Sequence, residues 1–291
     1  MTRNRFKYLD PEDIRKLSSY EFAPKLLVEG YLAGRHISTS RGLSTEFMDY
    51  RQYAEGDDPS MIDWKVFART ERYYVKTYQQ ETNTCCYIFL DSSASMDFGT
   101  KLTKLEYSSF FTAALCYLVT KSDNQVGLQI FDDAIRHYFP PGSTGTHLKN
   151  LMSALEKNHA GSRTSLSTAL KKSFPLLKRR GTLIVVSDFF DDPAAIFQAL
   201  SPYLHKGFKV YLFHILDREE LELKPDSLTL FRDMESGERI SVHTREIREV
   251  YRKAIYDYMD KLREMAFLKK VDYMTAFTDT HYFKLFDRLV K

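Results

Sequence analysis

Four short, almost uninterrupted apolar segments constrain the fold of this chain most strongly. They are residues 85–91 (CCYIFLD), 126–131 (VGLQIF), 181–188 (GTLIVVSD) and 208–216 (FKVYLFHIL). Helical apolar spacing lies between them, at residues 105–120, 147–157, 165–177 and 193–205. Strands buried on both faces are near-continuous apolar runs, and their alternation with helices is typical of a mostly parallel, doubly wound α/β sheet. The alternating segment 134–139, after a turn at Asp132 and Asp133, predicts one antiparallel edge strand.

The chain divides into two regions of different character. The 291 residues suit one large domain, or one domain with an appendage. Residues 1–80 include a helical segment at 11–28 and an aromatic, charged stretch without sustained periodicity, which predicts a smaller mixed subdomain. Residues 81–291 form the α/β domain, which ends with a hairpin (228–243), a long amphipathic helix (244–267), a last strand and a last helix.

Composition excludes several classes of protein. The net charge of +3 is small against 42 basic and 39 acidic residues, and no basic stripe with interleaved aromatics indicates nucleic-acid binding. Three cysteines are too few for a disulfide framework and lack zinc-ligand spacing, so we expect them in the core. A charged N-terminus and the absence of a long apolar run predict a cytoplasmic protein without membrane insertion.

Side chains with oxygen atoms follow the ends of the predicted strands. Asp91, Ser93 and Ser95 follow the first strand, Asp188 follows the strand at 181–187, and Thr164 precedes the helix at 165–177. Ligands of doubly wound sheets bind at the carboxyl ends of the strands, and hard cations such as Mg²⁺ prefer oxygen ligands. The alternative is a hydrogen-bonded turn in which aspartate and serine cap the next helix.

The pattern Asp91-x-Ser93-x-Ser95, with Thr164 and Asp188 on later loops, resembles the metal-ion-dependent adhesion site of von Willebrand factor A domains. The resemblance implies that Ser93, Ser95 and Thr164 bind Mg²⁺ (or Mn²⁺ or Ca²⁺) directly or nearly so. It also implies that Asp91 and Asp188 act directly or through water. One residue departs from the family pattern, because Phe189 stands where a glycine often follows the later aspartate.

The N-terminal region carries a second resemblance. Residues 53–81 (YAEGDDPSMIDWKVFARTERYYVKTYQQE) and 36–53 (HISTSRGLSTEFMDYRQY) resemble a bacterial family catalogued as domain of unknown function 58. Members are typically encoded near MoxR-type AAA+ ATPases, which implies that such an ATPase or its client is the partner. Within this region we interpret Asp63, Trp64 and Arg69 as a structural anchor, in which the tryptophan packs and Asp63 pairs with an arginine. The alternative is that Arg69 or Asp63 faces the metal site.

Three functions are compatible with these features. The first is a non-enzymatic binding module, in which a divalent cation captures a carboxylate of a partner protein. The second is a magnesium-dependent hydrolase such as a phosphatase; however, Ser93 stands where that chemistry places a second aspartate, and neither a nucleophile elbow nor a Walker A loop is present. The third is a conformational relay through the helix at 244–267, which only the resemblance suggests.

Overall fold

The computed structural model describes residues 6–9, 12–13, 15, 45–54, 60, 62–80, 84–99, 101–161, 165–223, 228–232 and 239–290. The chain forms two compact units, one of residues 37–83 and one of residues 1–36 and 84–291. Most of the helix predicted at 11–28 lies outside the described residues.

The smaller unit is built on two antiparallel strands. Strand β1 (Thr45–Gln52) pairs with β2 (Tyr74–Gln80), and helix α1 (Trp64–Thr70) lies between them in the chain. The Asp63 carboxylate caps α1 by accepting from the backbone N–H of Lys65 at 2.9 Å. The expectation that Trp64 packs inside is wrong, since its side chain is 60% exposed. The short helix buries none of its seven residues, which leaves the tryptophan at the surface.

The larger unit contains a six-stranded sheet. Its strands are β3 (Cys85–Asp91), β4 (Gln125–Phe131), β5 (Ile135–Gly142), β6 (Gly181–Ser187), β7 (Lys209–Leu216) and β10 (Asp272–Phe277). The strand order is β10-β7-β6-β3-β4-β5, and only β5 runs antiparallel to its neighbour. The predicted parallel sheet with one antiparallel edge is therefore confirmed.

Helices cover both faces of this sheet. They are α2 (Lys104–Lys121), α3 (Gly145–Lys157), α4 (Leu166–Ser173), α5 (Pro193–His205), α6 (Arg218–Glu222), α7 (Thr244–Leu268) and α8 (Phe283–Val290). Side chains of β3 alternate between two cores: Ile88 packs with α2, α3 and α8, whereas Phe89 packs with α4, α5 and α7. Strands buried on both sides explain the uninterrupted apolar runs.

One predicted helix is shorter than expected, and the predicted hairpin is present. The helix predicted at 165–177 ends at Ser173 and continues as a 3₁₀ turn at Phe174–Leu176, because Pro175 lacks a backbone N–H and restricts the residue before it. The predicted hairpin is present as β8 (Leu228–Arg232) and β9 (Arg239–His243).

The cysteines lie in the core, as predicted. All three are buried free thiols. Among the described helices, none combines the length and the hydropathy that crossing a lipid bilayer requires.

Candidate metal centre

The strand order identifies the point of the sheet at which a ligand is expected to bind. The chain leaves β3 for α2 on one face and leaves β6 for α5 on the other, so the crevice between β3 and β6 is the switch point where doubly wound sheets bind ligands. Asp91 is the last residue of β3, and Asp188 directly follows β6. The fold therefore brings these two predicted residues to the same crevice.

Asp91 is held by donors from both strands. Its side chain is fully buried; Oδ1 accepts from the Ser93 backbone N–H at 2.9 Å, and Oδ2 accepts from the Ser187 hydroxyl at 2.6 Å. Burial, followed by the negative charge of Asp188, raises the pKa of Asp91 to about 7. A carboxylate in this environment would be stabilised by a cation at the crevice.

The hydroxyls of Ser93 and Ser95 lie side by side above Asp91, and we call Asp91, Ser93 and Ser95 the rim cluster. The two hydroxyl oxygens are 3.1 Å apart. Ser93 makes no side-chain cap to the 3₁₀ turn at Ala94–Asp97, and Thr103 is the residue that caps α2. The capping alternative therefore does not explain Ser93. Adjacent oxygens around an octahedral Mg²⁺ with bonds of about 2.1 Å are separated by about 3 Å, so the observed spacing fits two neighbouring ligands.

Asp188 forms a buried ion pair that the sequence did not predict. Its Oδ2 accepts from the Lys104 ammonium at 2.8 Å, and the same ammonium lies 3.0 Å from Oε2 of Glu220. Lys104 and Asp188 are almost completely inaccessible to solvent. Burial alone would raise the pKa of Asp188, but the Lys104 charge holds it below its usual value. Asp188 is thus ionised and turned toward a built-in cation.

Thr164 lies outside the described residues, and its predicted role stays a prediction. The residues on either side are anchored near the rim cluster. The Gly161 N–H donates to the Ser92 carbonyl at 2.7 Å, and the Ser165 N–H lies 3.4 Å from the Asp132 carbonyl oxygen. The Asn158 amide also donates to the Ser92 hydroxyl at 2.7 Å. These contacts hold the described ends of this loop against the residues that follow β3 and β4.

The loop after Asp188 is fixed by helix α7. Phe189 adopts a left-handed backbone conformation (φ 55°) with a fully buried ring, at the position where the resembled family often has glycine. This conformation is uncommon for a large side chain and needs support from its surroundings. The Tyr258 hydroxyl supplies it, with its one proton shared between the carbonyl oxygens of Phe189 and, at 2.7 Å, of Asp191.

Replacing Tyr258 by phenylalanine should reveal the strength of this support. We expect the free energy of unfolding to fall by about 1–3 kcal/mol, because the Asp191 carbonyl loses the Tyr258 hydroxyl and the Phe189 carbonyl keeps only the Asp191 N–H as donor. Tyr256→Phe is the matched control, since that ring is 49% exposed on the same helix and its change should stay within about 0.5 kcal/mol. Equal effects of the two variants in chemical denaturation would contradict the assignment.

The side chains available as metal ligands determine which ion the crevice can bind. Within the described part of the chain, no three side chains drawn from His, Cys, Asp and Glu come together as metal ligands. A cation at the rim cluster would therefore depend on the two serine hydroxyls, with Asp91 directly behind them. Hydroxyl ligands neutralise little of a 2+ charge, so such a cation would remain electrophilic and favour an added carboxylate.

Comparison with known proteins places these features in a family context. The model of the family described as "Protein of unknown function DUF58" matches residues 49–260. Uncharacterized proteins Rv1480 of Mycobacterium tuberculosis and Mb1516 of Mycobacterium bovis are each 27% identical over 232 residues, which cover 78% of this chain and 73% of theirs.

Two solved structures are also similar to this chain. BatB from Bacteroides thetaiotaomicron matches with a TM-score of 0.51 and 17% identity, over 71% of this chain and 97% of that chain. The VWA domain of SpRpn10 matches with a TM-score of 0.43 and 10% identity, over 71% of this chain and 95% of its own. The predicted doubly wound, mostly parallel α/β fold is confirmed at the level of architecture.

Proposed function

The chain belongs to the DUF58 family, and from that premise we propose that it is a protein-binding module that uses a divalent cation to capture a carboxylate of its partner. The observation that carries the proposal is the rim cluster, with two hydroxyl oxygens 3.1 Å apart beside a buried aspartate at the switch point of the sheet. Ser93, Ser95 and Thr164 would be the direct ligands of Mg²⁺, Mn²⁺ or Ca²⁺, and Asp91 and Asp188 would act directly or through water.

Binding is favoured over hydrolysis by the groups around Asp91. Both of its carboxylate oxygens accept hydrogen bonds from the chain's own donors, which restrains the carboxylate from acting as a nucleophile. Ser93 cannot serve as a general acid two residues further on, because its hydroxyl has no suitable pKa. The cation would thus hold an incoming carboxylate instead of activating a phosphoester.

The proposed partner is a MoxR-type AAA+ ATPase or one of its clients, as the family resemblance implies. The test is a binding measurement between this chain and the purified MoxR-type ATPase of the same organism, in Mg²⁺ and in EDTA. We expect binding in Mg²⁺ that is lost in EDTA and in the double variant Ser93→Ala, Ser95→Ala. Binding that is unchanged by EDTA would contradict the metal-dependent mechanism, and metal-dependent hydrolysis of p-nitrophenyl phosphate would favour the phosphatase instead. A cytoplasmic location stays a prediction that cell fractionation would check.

A further inference from the structure

A cavity of about 440 Å³ lies beside the Asp188 loop, apart from the rim cluster. It is bounded by the carboxyl end of β7, by α6 and by α7, and its apolar walls include Phe190, Leu216, Leu221, Tyr251, Ile255 and Tyr258. This size falls in the range of small-molecule and side-chain sites. Phe190 is 60% exposed, so this aromatic ring borders the cavity at the protein surface.

The polar part of the wall carries excess negative charge. Asp188 and Glu220 both line the cavity, and both bind the single ammonium of Lys104. Of the described side chains at this wall, two carboxylates therefore face one ammonium. Asp191 also lines the cavity, but its carboxylate oxygens accept from the backbone N–H groups of Ser167 and Asp192. His214 also lines this wall, and its Nδ1 pairs with the Tyr273 hydroxyl at 2.5 Å.

Aromatic rings complete the environment. Phe190, Tyr251 and Tyr258 all contribute to the lining. Aromatic faces attract cations, most strongly where the cation is desolvated, and an apolar wall favours an alkyl stem. An anion, by contrast, would meet carboxylates on the same wall.

We propose that this cavity binds a primary alkylammonium group on an apolar stem, the chemistry of a lysine side chain of the partner protein. The preference for a cation rests on the cavity alone, whereas its assignment to a protein partner rests on the proposed function. Because Asp188 both lines the cavity and follows β6 at the crevice, a partner would present a lysine close to the carboxylate that the cation captures.

The test compares n-butylammonium with the neutral n-butanol by ¹H–¹⁵N NMR titration of the full chain, in EDTA. We expect the ammonium to bind about tenfold more tightly than the alcohol. Glu220→Gln should remove most of that difference, since Lys104 keeps its bond to Asp188 while one wall charge is lost. Ala254→Trp should abolish binding of both probes, because the exposed Ala254 lines the cavity and a larger ring there would block it.

Glu249→Gln is the matched control, because Glu249 is an exposed carboxylate of the same helix that pairs with Arg252 outside this cavity. It should leave the affinity for butylammonium unchanged. Equal affinity for alcohol and ammonium, absence of saturable binding, or equal effects of Glu220→Gln and Glu249→Gln would overturn the proposal. Should Ala254→Trp fail to fold, as its thermal melt would show, the alcohol comparison and Glu220→Gln decide.

A second experiment distinguishes a lysine side chain from a free amine as the ligand, and tests this inference independently of the proposed function. Capped lysine (N-acetyl-lysine-methylamide) should bind at the same residues as butylammonium. A site that accepts only free amines would not bind capped lysine, and this result would contradict the assignment to a lysine side chain. Both probes are measured without a divalent cation. If butylammonium binds but no Mg²⁺-dependent binding of the partner is found, only the proposed function is contradicted. If the partner binds in Mg²⁺ but butylammonium does not bind, only this inference is contradicted.

Discussion

Replacing Lys104 by methionine is expected to lower the free energy of unfolding by about 3–5 kcal/mol. The Lys104 ammonium is completely buried and lies 2.8 Å from Asp188 and 3.0 Å from Glu220. Methionine fills a similar volume but leaves both carboxylates without this partner. Removing one member of a buried ion pair is far more damaging than removing the pair, because the remaining charge stays desolvated.

Two further variants make this prediction specific. Lys209→Met removes an ion pair of comparable contact distance, 2.5 Å to Asp272, whose side chains are 25% and 44% exposed. That change should reduce stability by less than about 1 kcal/mol, since water screens the pair. Adding Asp188→Asn and Glu220→Gln to Lys104→Met should recover much of the loss. Equal losses for Lys104→Met and Lys209→Met in urea denaturation would contradict the account.

Asp91→Asn is expected to weaken the binding of Mg²⁺ or Mn²⁺ by about 100-fold. Asparagine keeps the shape of the side chain and one oxygen that can accept from the Ser93 N–H, but it removes the negative charge behind the two hydroxyls. The fold should persist, because a buried charge is replaced by a neutral group of equal size. Isothermal titration calorimetry with each cation measures the effect.

Asp97→Asn provides the control for this variant. Asp97 lies in the 3₁₀ turn that follows Asp91 but is exposed, so its carboxylate belongs to the surface and not to the rim cluster. Its substitution should leave the cation affinity within about twofold of the wild-type value. A similar loss in both variants would indicate a general electrostatic effect and would contradict a site centred on Asp91.

The sheet could be predicted from sequence because its physical cause is local. A strand that is buried on both faces must be apolar throughout, and β3, β6 and β7 are therefore visible as runs. The positions of Asp91 and Asp188 follow from the same fact, since Asp91 ends one buried strand and Asp188 directly follows another. The prediction of a shared crevice needs only the rule that parallel strands end at one edge.

The ion-pair cluster could not be predicted in this way. Lys104 lies 84 residues from Asp188 and 116 from Glu220, so nothing in the local pattern indicates the contact. The one available signal is its position in the first turn of a largely buried helix, where it lies within one turn of the buried Tyr107 and Ser108. The prediction for Trp64 was wrong in the other direction, since an apolar residue expected to pack is exposed. Apolar character alone does not determine which side of a short helix is covered.

The most direct test of the cation-capture account is a water-proton relaxation measurement on the Mn²⁺-loaded protein, titrated with capped glutamate and, separately, with capped glutamine. A cation held by the two serine hydroxyls keeps exchangeable waters, and a carboxylate ligand would displace one of them. The account predicts an enhanced relaxation rate that falls in a saturable manner with glutamate, does not fall with glutamine, and is absent in Asp91→Asn. No enhancement with the wild-type protein, or an equal response to both probes, would contradict it.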